Sequence, residues 1–223
     1  ASISFDKRLY RQDIEGSIAH ARMLNRQGII TEEERDLLIS CLQEIAEEEL
    51  SFAPQDEDIH AYVDRRLIEK AGEIGKKINT GRSRNDQVVL DFRMYQKEQI
   101  RTLDKKLAAL LEVLYHQAKD HQKTILPGYT HMQKAQPVTL AHHLLAYYNM
   151  FHRDRKRFAS CFESTDSMPL GAGALAGVSY PIDREFLKEE LGFHEICSNS
   201  IDAVSDRDFA LEFLSCASIT MMH

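Results

Sequence analysis

The sequence lacks the features that mark several classes of protein. Its four cysteines are far apart in the chain, at Cys41, Cys161, Cys197 and Cys216. They form no CxxC pair, so neither a zinc knuckle nor a redox motif is indicated. No basic segment followed by an apolar segment opens the sequence, so no secretory signal is visible. The uncharged run between Asp166 and Asp183 contains glycine and proline and is shorter than the about 20 residues of a membrane-spanning helix. We expect reduced thiols in a cytoplasmic protein without membrane association.

Positive charge is also in deficit. Lysine and arginine total 28 against 35 aspartates and glutamates, which gives a net charge of -7 and argues against a nucleic-acid partner. Any site for an anion must therefore be a local basic patch. The ten histidines include no HExxH motif and no pair four residues apart, and the adjacent His142 and His143 cannot share one helix face. We therefore predict no metal site.

What the sequence does contain is a series of helical patterns, and it has no convincing run with a period of two. Thr31 and Glu34 form a T-x-x-E capping box at the start of one helix, and another helix begins at about Asp58. The predicted helices cover residues 6–27, 31–45, from about 58 to the glycines at 72 and 75, 98–117, a long segment after Pro137, and a segment from near Ser205 onward. The chain is predicted to be all-α.

The patterns also predict the domain organisation. The stretch from Glu73 to Arg84 separates short helices from long ones, which predicts an N-terminal helical domain over residues 1–81 and a central helical bundle over residues 82–223. Long helices with broad apolar stripes and no short-range partners are typical of a bundle that other subunits complete. The sequence starts at Ala1 without methionine and stops inside an apolar helical pattern, so we expect a fragment with an incomplete bundle.

The stretch PLGAGALAG places Gly171, Gly173 and Ala176 at the spacing of a dinucleotide-binding fingerprint. That motif requires a strand directly before it and a helix that begins on it, whereas ESTDSM precedes it here. Small residues that allow close backbone packing are the better interpretation.

Two polar stretches could bind an anion. In TGRSRNDQ, two arginines, two small hydroxyl residues, an amide and a glycine lie between helices, where several donors could converge on a carboxylate or phosphate. Composition alone slightly favours a solvated turn. In NSIDAVSDRDF, Ser205 and Asp208 have capping-box spacing, so Asp206 and Arg207 fit the start of a helix equally well.

The stretch GYTHMQKAQP interrupts the helical patterns with a histidine bracketed by glycine and proline. In one interpretation, a polar loop delivers Thr130, His131 and Gln133 to a site, since a histidine can act as an acid or a base at neutral pH. In the other, the stretch is a turn whose histidine faces water. The residues by themselves leave both interpretations open.

Several stretches together resemble the argininosuccinate lyase family, within the superfamily that also holds fumarase, aspartase, adenylosuccinate lyase and the lens δ-crystallins. The resemblance rests first on TGRSRNDQV and GYTHMQKAQPVTLAHHLLAY. It extends in order through ASISFDKRLYRQDIEGSIAHARML, EDIHAYVDRRL, PLGAGALAG and DAVSDRDF, so it covers essentially the whole chain. The sibling lyases share the Thr–His pair but typically carry a different segment in place of GRSRND.

The resemblance implies a carbon–nitrogen lyase of arginine biosynthesis that reversibly cleaves argininosuccinate into arginine and fumarate. In this β-elimination a base removes a proton next to a carboxylate, negative charge builds up, and the guanidinium nitrogen leaves with a proton from an acid. Such chemistry implies no redox cofactor and no metal. The family further implies a cytoplasmic homotetramer in which each active site gathers regions from three subunits.

The family's functional positions can be carried over one by one. His131 matches the catalytic histidine, and Thr130 beside it matches a threonine at the substrate. The other implied substrate-binding residues are Ser2, His60, Arg84, Asn85 and Arg207. Arginine and amide donors suit a dicarboxylate, and a nearby histidine can be tuned between its neutral and charged forms.

One part of the family pattern is missing from this sequence. The family's third signature, a loop of the form GSSxMPxKxNP with the serine usually assigned as the base, has no match here. We therefore expect the polypeptide as printed to have little lyase activity although its parent protein is an enzyme. Two alternatives remain open: a δ-crystallin-like structural protein, and a sibling lyase acting on fumarate, aspartate or adenylosuccinate.

Overall fold

A computed structural model describes residues 1–223, and most of them are helical, as the sequence predicts. None of the helices is both long and apolar enough to cross a membrane. The elements in chain order are α1 (Ile3–Asp6), a 3-10 turn (Lys7–Leu9), α2 (Tyr10–Arg26), α3 (Glu32–Ala46), α4 (Ile59–Ala71), a second 3-10 segment (Gly72–Asn79), α5 (Arg84–Asp120), β1 (Ile125–Thr130), β2 (Gln133–Thr139), α6 (Leu140–Thr165), β3 (Ser167–Met168), α7 (Arg184–Glu190), β4 (Glu195–Ile196), α8 (Ser200–Ser205) and α9 (Asp208–Met222).

The chain forms two compact units. The first unit comprises Ala1–Tyr95 and Asp166–Asp206, and the second comprises Gln96–Thr165 and Arg207–His223. Each unit therefore uses two separate stretches of sequence. The division of the chain into an N-terminal domain, residues 1–81, and a central bundle, residues 82–223, stays a prediction.

Helices α2, α3 and α4 build the core of the first unit. Leu24 of α2, Leu42 of α3 and Tyr62 of α4 are fully buried in one apolar cluster. Burying each such side chain contributes about 1.5–3 kcal/mol, so this cluster fixes how the three helices pack.

The starts of α3 and α4 follow the sequence prediction. Thr31 and Glu34 form the expected capping box, and the carboxylate of Asp58 accepts the N–H of Ala61 at 2.7 Å.

The second unit consists of the later part of α5, the β1–β2 hairpin, α6 and α9. Ile100 and Leu107 of α5 pack with Phe158 of α6, and Phe213 of α9 packs against this cluster.

The prediction of a capping box at Ser205 is wrong. Ser205 is the last residue of α8, and its hydroxyl donates to the carbonyl of Ile201 at 2.7 Å instead of capping α9.

The hairpin is the main departure from an all-helical expectation. Strands β1 and β2 pair antiparallel and are joined by His131 and Met132, whose φ angles are 50° and 60°. Both strands expose side chains on both faces, so their sequences lack the alternation of apolar and polar residues that would predict a strand. Gly128 is required in this hairpin because a Cβ there would lie 2.7 Å from the carbonyl oxygen of Gln136.

Candidate active site

The loop before α5 is held by a buried carboxylate. Asp86 accepts backbone N–H groups from Ser83 at 3.0 Å, Gly171 at 3.2 Å and Gly173 at 2.8 Å. Beside it, the amide of Asn85 donates to the carbonyl of Ala174 at 3.1 Å. The stretches TGRSRNDQ and PLGAGALAG therefore lie against each other, with the Asp86 carboxylate between their backbones.

This arrangement gives PLGAGALAG a structural explanation. Its backbone amides form a small anion-binding concavity, and the anion in it is the protein's own Asp86. Gly173 has φ 63°, and a Cβ there would lie 2.6 Å from the carbonyl oxygen of Gly177. A two-residue strand precedes the stretch, but no helix begins on it. The interpretation as close backbone packing therefore accounts for these glycines.

Arg84 begins a chain of polar contacts in the first unit. Its guanidinium donates to Asp64 at 2.9 Å and to the side-chain oxygen of Gln87 at 3.0 Å. The amide of Gln87 donates in turn to Asp13 Oδ1, inside the core. Arg84 is therefore held partly exposed at the surface end of a network that reaches a buried carboxylate.

His60 lies at the buried end of the same network. Its Nδ1 is 3.0 Å from Asp13 Oδ1 and 3.2 Å from Asp91 Oδ2, and none of the three side chains is more than 2% exposed. Burial alone would lower the pKa of His60, but hydrogen bonds and charge from the two carboxylates outweigh it and raise that pKa to about 10. The imidazole is therefore a buried cation at neutral pH.

These three residues are also the group in the chain whose atoms could together ligate a metal ion. Their ligand atoms all lie within 4.8 Å of one another. The separations between Nδ1 and the carboxylate oxygens are hydrogen-bond distances, and a metal ligand would need a deprotonated Nδ1. We interpret the group as sharing protons.

Ser2 and His60 line one cleft of about 450 Å³ in the first unit. The hydroxyl of Ser2 donates to Asp6 Oδ2 at 2.5 Å, and Asp6 Oδ1 accepts the N–H of Ile59 at 3.1 Å. Asp6 thus ties the N-terminal serine to the first turn of α4, next to His60. Of the residues singled out in the sequence, Ser2 and His60 thus line one cleft, and His60 shares a polar network with Arg84.

Thr130 and His131 belong to the second unit, at the end of the β1–β2 hairpin. Both side chains are exposed, and neither makes a hydrogen bond within the chain. Because φ is positive at His131 and Met132, the turn has the two-residue geometry that normally favours asparagine and glycine. The turn therefore projects His131 away from the strands on a defined backbone.

Arg207 precedes α9 at its N-cap position and is exposed. Its neighbour Asp206 belongs to the first unit, where it accepts from the buried guanidinium of Arg93. Arg207 itself lies in the second unit, as Thr130 and His131 do.

Sequence reasoning missed the two carboxylates that hold His60. A signal was available for Asp91, which interrupts the apolar run VVLDF with a charged residue on a helix. A charge in such a run is buried only when a partner compensates it. Asp13 gave no comparable signal, because charged residues surround it in the sequence.

Comparisons with known proteins bear on the whole chain. The family described as "Lyase" matches residues 1–223. An argininosuccinate lyase from Carboxydothermus hydrogenoformans is 57% identical over 227 aligned positions, which cover 100% of this chain and 50% of that protein. An argininosuccinate lyase from Moorella thermoacetica is 56% identical over 100% of this chain and 49% of that protein. The chain thus spans about half the length of the curated relatives it matches.

Solved structures of lyases also resemble this chain. A crystal structure of EDDS lyase in complex with formate superposes with a TM-score of 0.88 and 29% identity, over 97% of this chain and 43% of that chain. The structure of a fumarate lyase from Mesorhizobium sp. BNC1, at 21% identity and a TM-score of 0.78 over 95% of this chain and 51% of that chain, shares the fold. With a family match over every residue and relatives more than half identical to it, the chain belongs to the lyase family.

Proposed function

We propose that the full-length protein carrying this chain is an argininosuccinate lyase, which cleaves argininosuccinate into arginine and fumarate. The observation that carries the proposal is that Ser2 and His60, far apart in sequence, line one cleft of the first unit. Contacts through Asp13 and Gln87 also connect His60 to Arg84. The 57% identity of the whole chain to an argininosuccinate lyase supports the choice of substrate.

The reaction needs cationic and polar donors for a dicarboxylate. Arg84 and Asn85 are the first residues of α5, where the buried Asp86 anchors the preceding loop, and Ser2 and His60 line a cleft of the same unit. In β-elimination, negative charge accumulates on a substrate carboxylate after proton abstraction, and donors fixed in advance stabilise that charge without reorganising. All the steps are proton transfers and bond cleavage, so they draw on no redox cofactor.

His131 serves as the acid or base in this proposal, with Thr130 beside it at the substrate. An exposed imidazole without a partner in its own chain is available to a ligand or to another subunit. We propose a cytoplasmic homotetramer in which hairpins and clefts of different subunits form each active site. Exposed apolar side chains on α5 and α9 support an oligomer, among them Val113, Tyr115, Leu211, Leu214 and Met221.

The test uses the full-length protein with argininosuccinate, and follows fumarate by its ultraviolet absorbance. His131→Asn is expected to lower kcat by about 100-fold or more, the usual loss when a general acid or base is removed. His142→Asn is the matched control, because His142 is also exposed and lies just beyond the hairpin in α6. It is expected to keep normal kcat.

Two results would contradict the proposal. One is fumarate release from malate, aspartate or adenylosuccinate but not from argininosuccinate, which would indicate a sibling lyase. The other is equal activity of the His131→Asn and His142→Asn variants. A folded full-length protein with no turnover on any of these substrates would favour a structural role.

A further inference from the structure

Three helices of the first unit meet at one buried cluster. Asp13 comes from α2, His60 from α4 and Asp91 from α5, and their side chains are between 0% and 2% exposed. Two carboxylates and one imidazole at this depth cannot all carry charge without compensation. How the protons are distributed among them decides what the cluster can do.

The two carboxylates are not equivalent. Asp13 Oδ1 accepts from His60 Nδ1 and from the amide of Gln87. Burial would raise the pKa of Asp13, but the His60 hydrogen bond and charge, the charge of Arg82 and the Gln87 hydrogen bond together lower it. Asp13 is therefore ionised at neutral pH.

Asp91 has the opposite environment. Both of its oxygens are buried without a well-aligned hydrogen bond, although Oδ2 lies 3.2 Å from His60 Nδ1. Burial first, and then repulsion from Asp13, raise the pKa of Asp91 to about 8, against the opposing influence of His60. Below that pH Asp91 carries a proton, so the cluster contains one anion, one cation and one neutral acid.

The ring of His60 connects this cluster to the cleft. Its Nδ1 faces Asp13 and Asp91, while the residue also lines the cleft that contains Ser2. Nε2 is the ring nitrogen left for that cleft, and on a charged imidazole both nitrogens are donors. A carboxylate in the cleft is the ligand that such a donor suits.

We propose that Asp13 is a positioning residue that acts as the counter-ion of His60, fixing the ring so that its cationic Nε2–H donates to a carboxylate group of the substrate. This inference rests on the proposed function, and it adds Asp13 as the residue on which the charge of His60 depends. Asp91 is close to the same ring, but neither of its oxygens makes a well-aligned hydrogen bond that would fix the ring. The two aspartates should therefore respond differently to the same substitution.

The experiment compares Asp13→Asn with Asp91→Asn in the full-length protein, with fumarate as the probe and titration calorimetry at pH 7. Because asparagine resembles a protonated aspartic acid, Asp91→Asn should weaken fumarate binding much less than Asp13→Asn does, with a rise of less than threefold in the dissociation constant. Asp13→Asn should raise it at least tenfold, and should raise KM for argininosuccinate more than it lowers kcat. Combining Asp13→Asn with His60→Asn should add little further loss.

A second measurement does not depend on the folding of the Asp13 variant. In the His131→Asn background, fumarate affinity should stay level between pH 6 and about 7.5, because His60 keeps its proton and Asp91 is still mostly protonated in that range. A tenfold decrease per pH unit above about pH 6.5, the ordinary pKa of histidine, would overturn the proposal. Equal losses in the two folded aspartate variants, or unchanged affinity in Asp13→Asn, would overturn it as well.

These results also separate this inference from the proposed function. If fumarate binding differs between the two variants but argininosuccinate is not cleaved, the role of Asp13 stands and the proposed substrate is wrong. If argininosuccinate is cleaved and the two variants behave alike, the proposed function stands and the role of Asp13 is wrong.

Discussion

Replacing Asp86 by alanine should destabilise the first unit strongly. This carboxylate is fully buried and accepts three backbone N–H groups, at 3.0 Å from Ser83, 3.2 Å from Gly171 and 2.8 Å from Gly173. A hydrogen bond to a charged group contributes about 1.5–3 kcal/mol. Ser83 and Gly171 are partly exposed and can bind water instead, but Gly173 is buried and would keep an unsatisfied N–H.

We therefore expect the free energy of unfolding to fall by about 3 kcal/mol or more in Asp86→Ala. This value combines the loss of one hydrogen bond to a charged group with the cost of one buried N–H that is left without an acceptor. Asp86→Asn retains one carbonyl oxygen and should lose about 2 kcal/mol on the same basis. The measurement is urea unfolding of the full-length protein, followed by far-ultraviolet circular dichroism.

The matched control is Glu34→Ala. Glu34 is the third residue of α3, as Asp86 is the third residue of α5. Each side chain accepts the backbone N–H of the residue three positions earlier, and the Thr31 N to Glu34 Oε2 distance is 3.1 Å. It is partly exposed, accepts one backbone N–H and pairs with Lys77 at the surface, so its loss should cost much less than the loss of Asp86. If the two alanine variants lose stability to within 1 kcal/mol of each other, the argument about the buried carboxylate is wrong.

Two further predictions concern His20 and the hairpin turn. Burial lowers the pKa of His20 to about 3, with Arg82 reinforcing the shift and the hydrogen bond to Thr80 O opposing it. Because the unfolded histidine titrates near pH 6.5, stability is complete above that pH and falls by about 1.4 kcal/mol per pH unit below it, or about 2 kcal/mol from pH 7 to pH 5. His20→Gln should remove this part of the pH dependence in denaturant titrations, and an unchanged slope would contradict it. Met132→Gly should raise the free energy of unfolding by about 1 kcal/mol, because Met132 has φ 60° and is 94% exposed. A lower melting temperature would show that its side chain makes a stabilising contact.

The helices could be predicted because their signals are local. The capping box of Thr31 and Glu34 and the N-cap of Asp58 lie within four residues of the groups that they bind. Where a competing local bond exists, the same reasoning fails. Ser205 has capping-box spacing to Asp208, but its hydroxyl bonds back to the preceding turn.

The hairpin and the carboxylate networks could not be predicted, for two different physical reasons. Strands β1 and β2 bury little on either face, so no hydrophobic period identifies them. The partners Gly173 of Asp86 and Asp91 of His60 lie far away in sequence, and only tertiary packing brings them close. The resemblance to a family supplied Ser2, His60 and Arg84 as site residues, but gave no reason for the positive charge of His60.

The discontinuity of the first unit has a consequence for synthesis of the protein. Its two stretches, Ala1–Tyr95 and Asp166–Asp206, are separated by residues 96–165 of the second unit. At about 5–20 residues per second, a ribosome needs roughly 4 to 14 s to make that intervening segment. During this interval the nascent helices α2 to α4 lack Met168, Leu170 and Leu187 from their core, and Asp86 lacks the glycine amides that it accepts in the finished protein. The apolar surface left open is one that chaperones would bind, so the yield of folded protein should depend on how quickly the ribosome moves from residue 96 to residue 187.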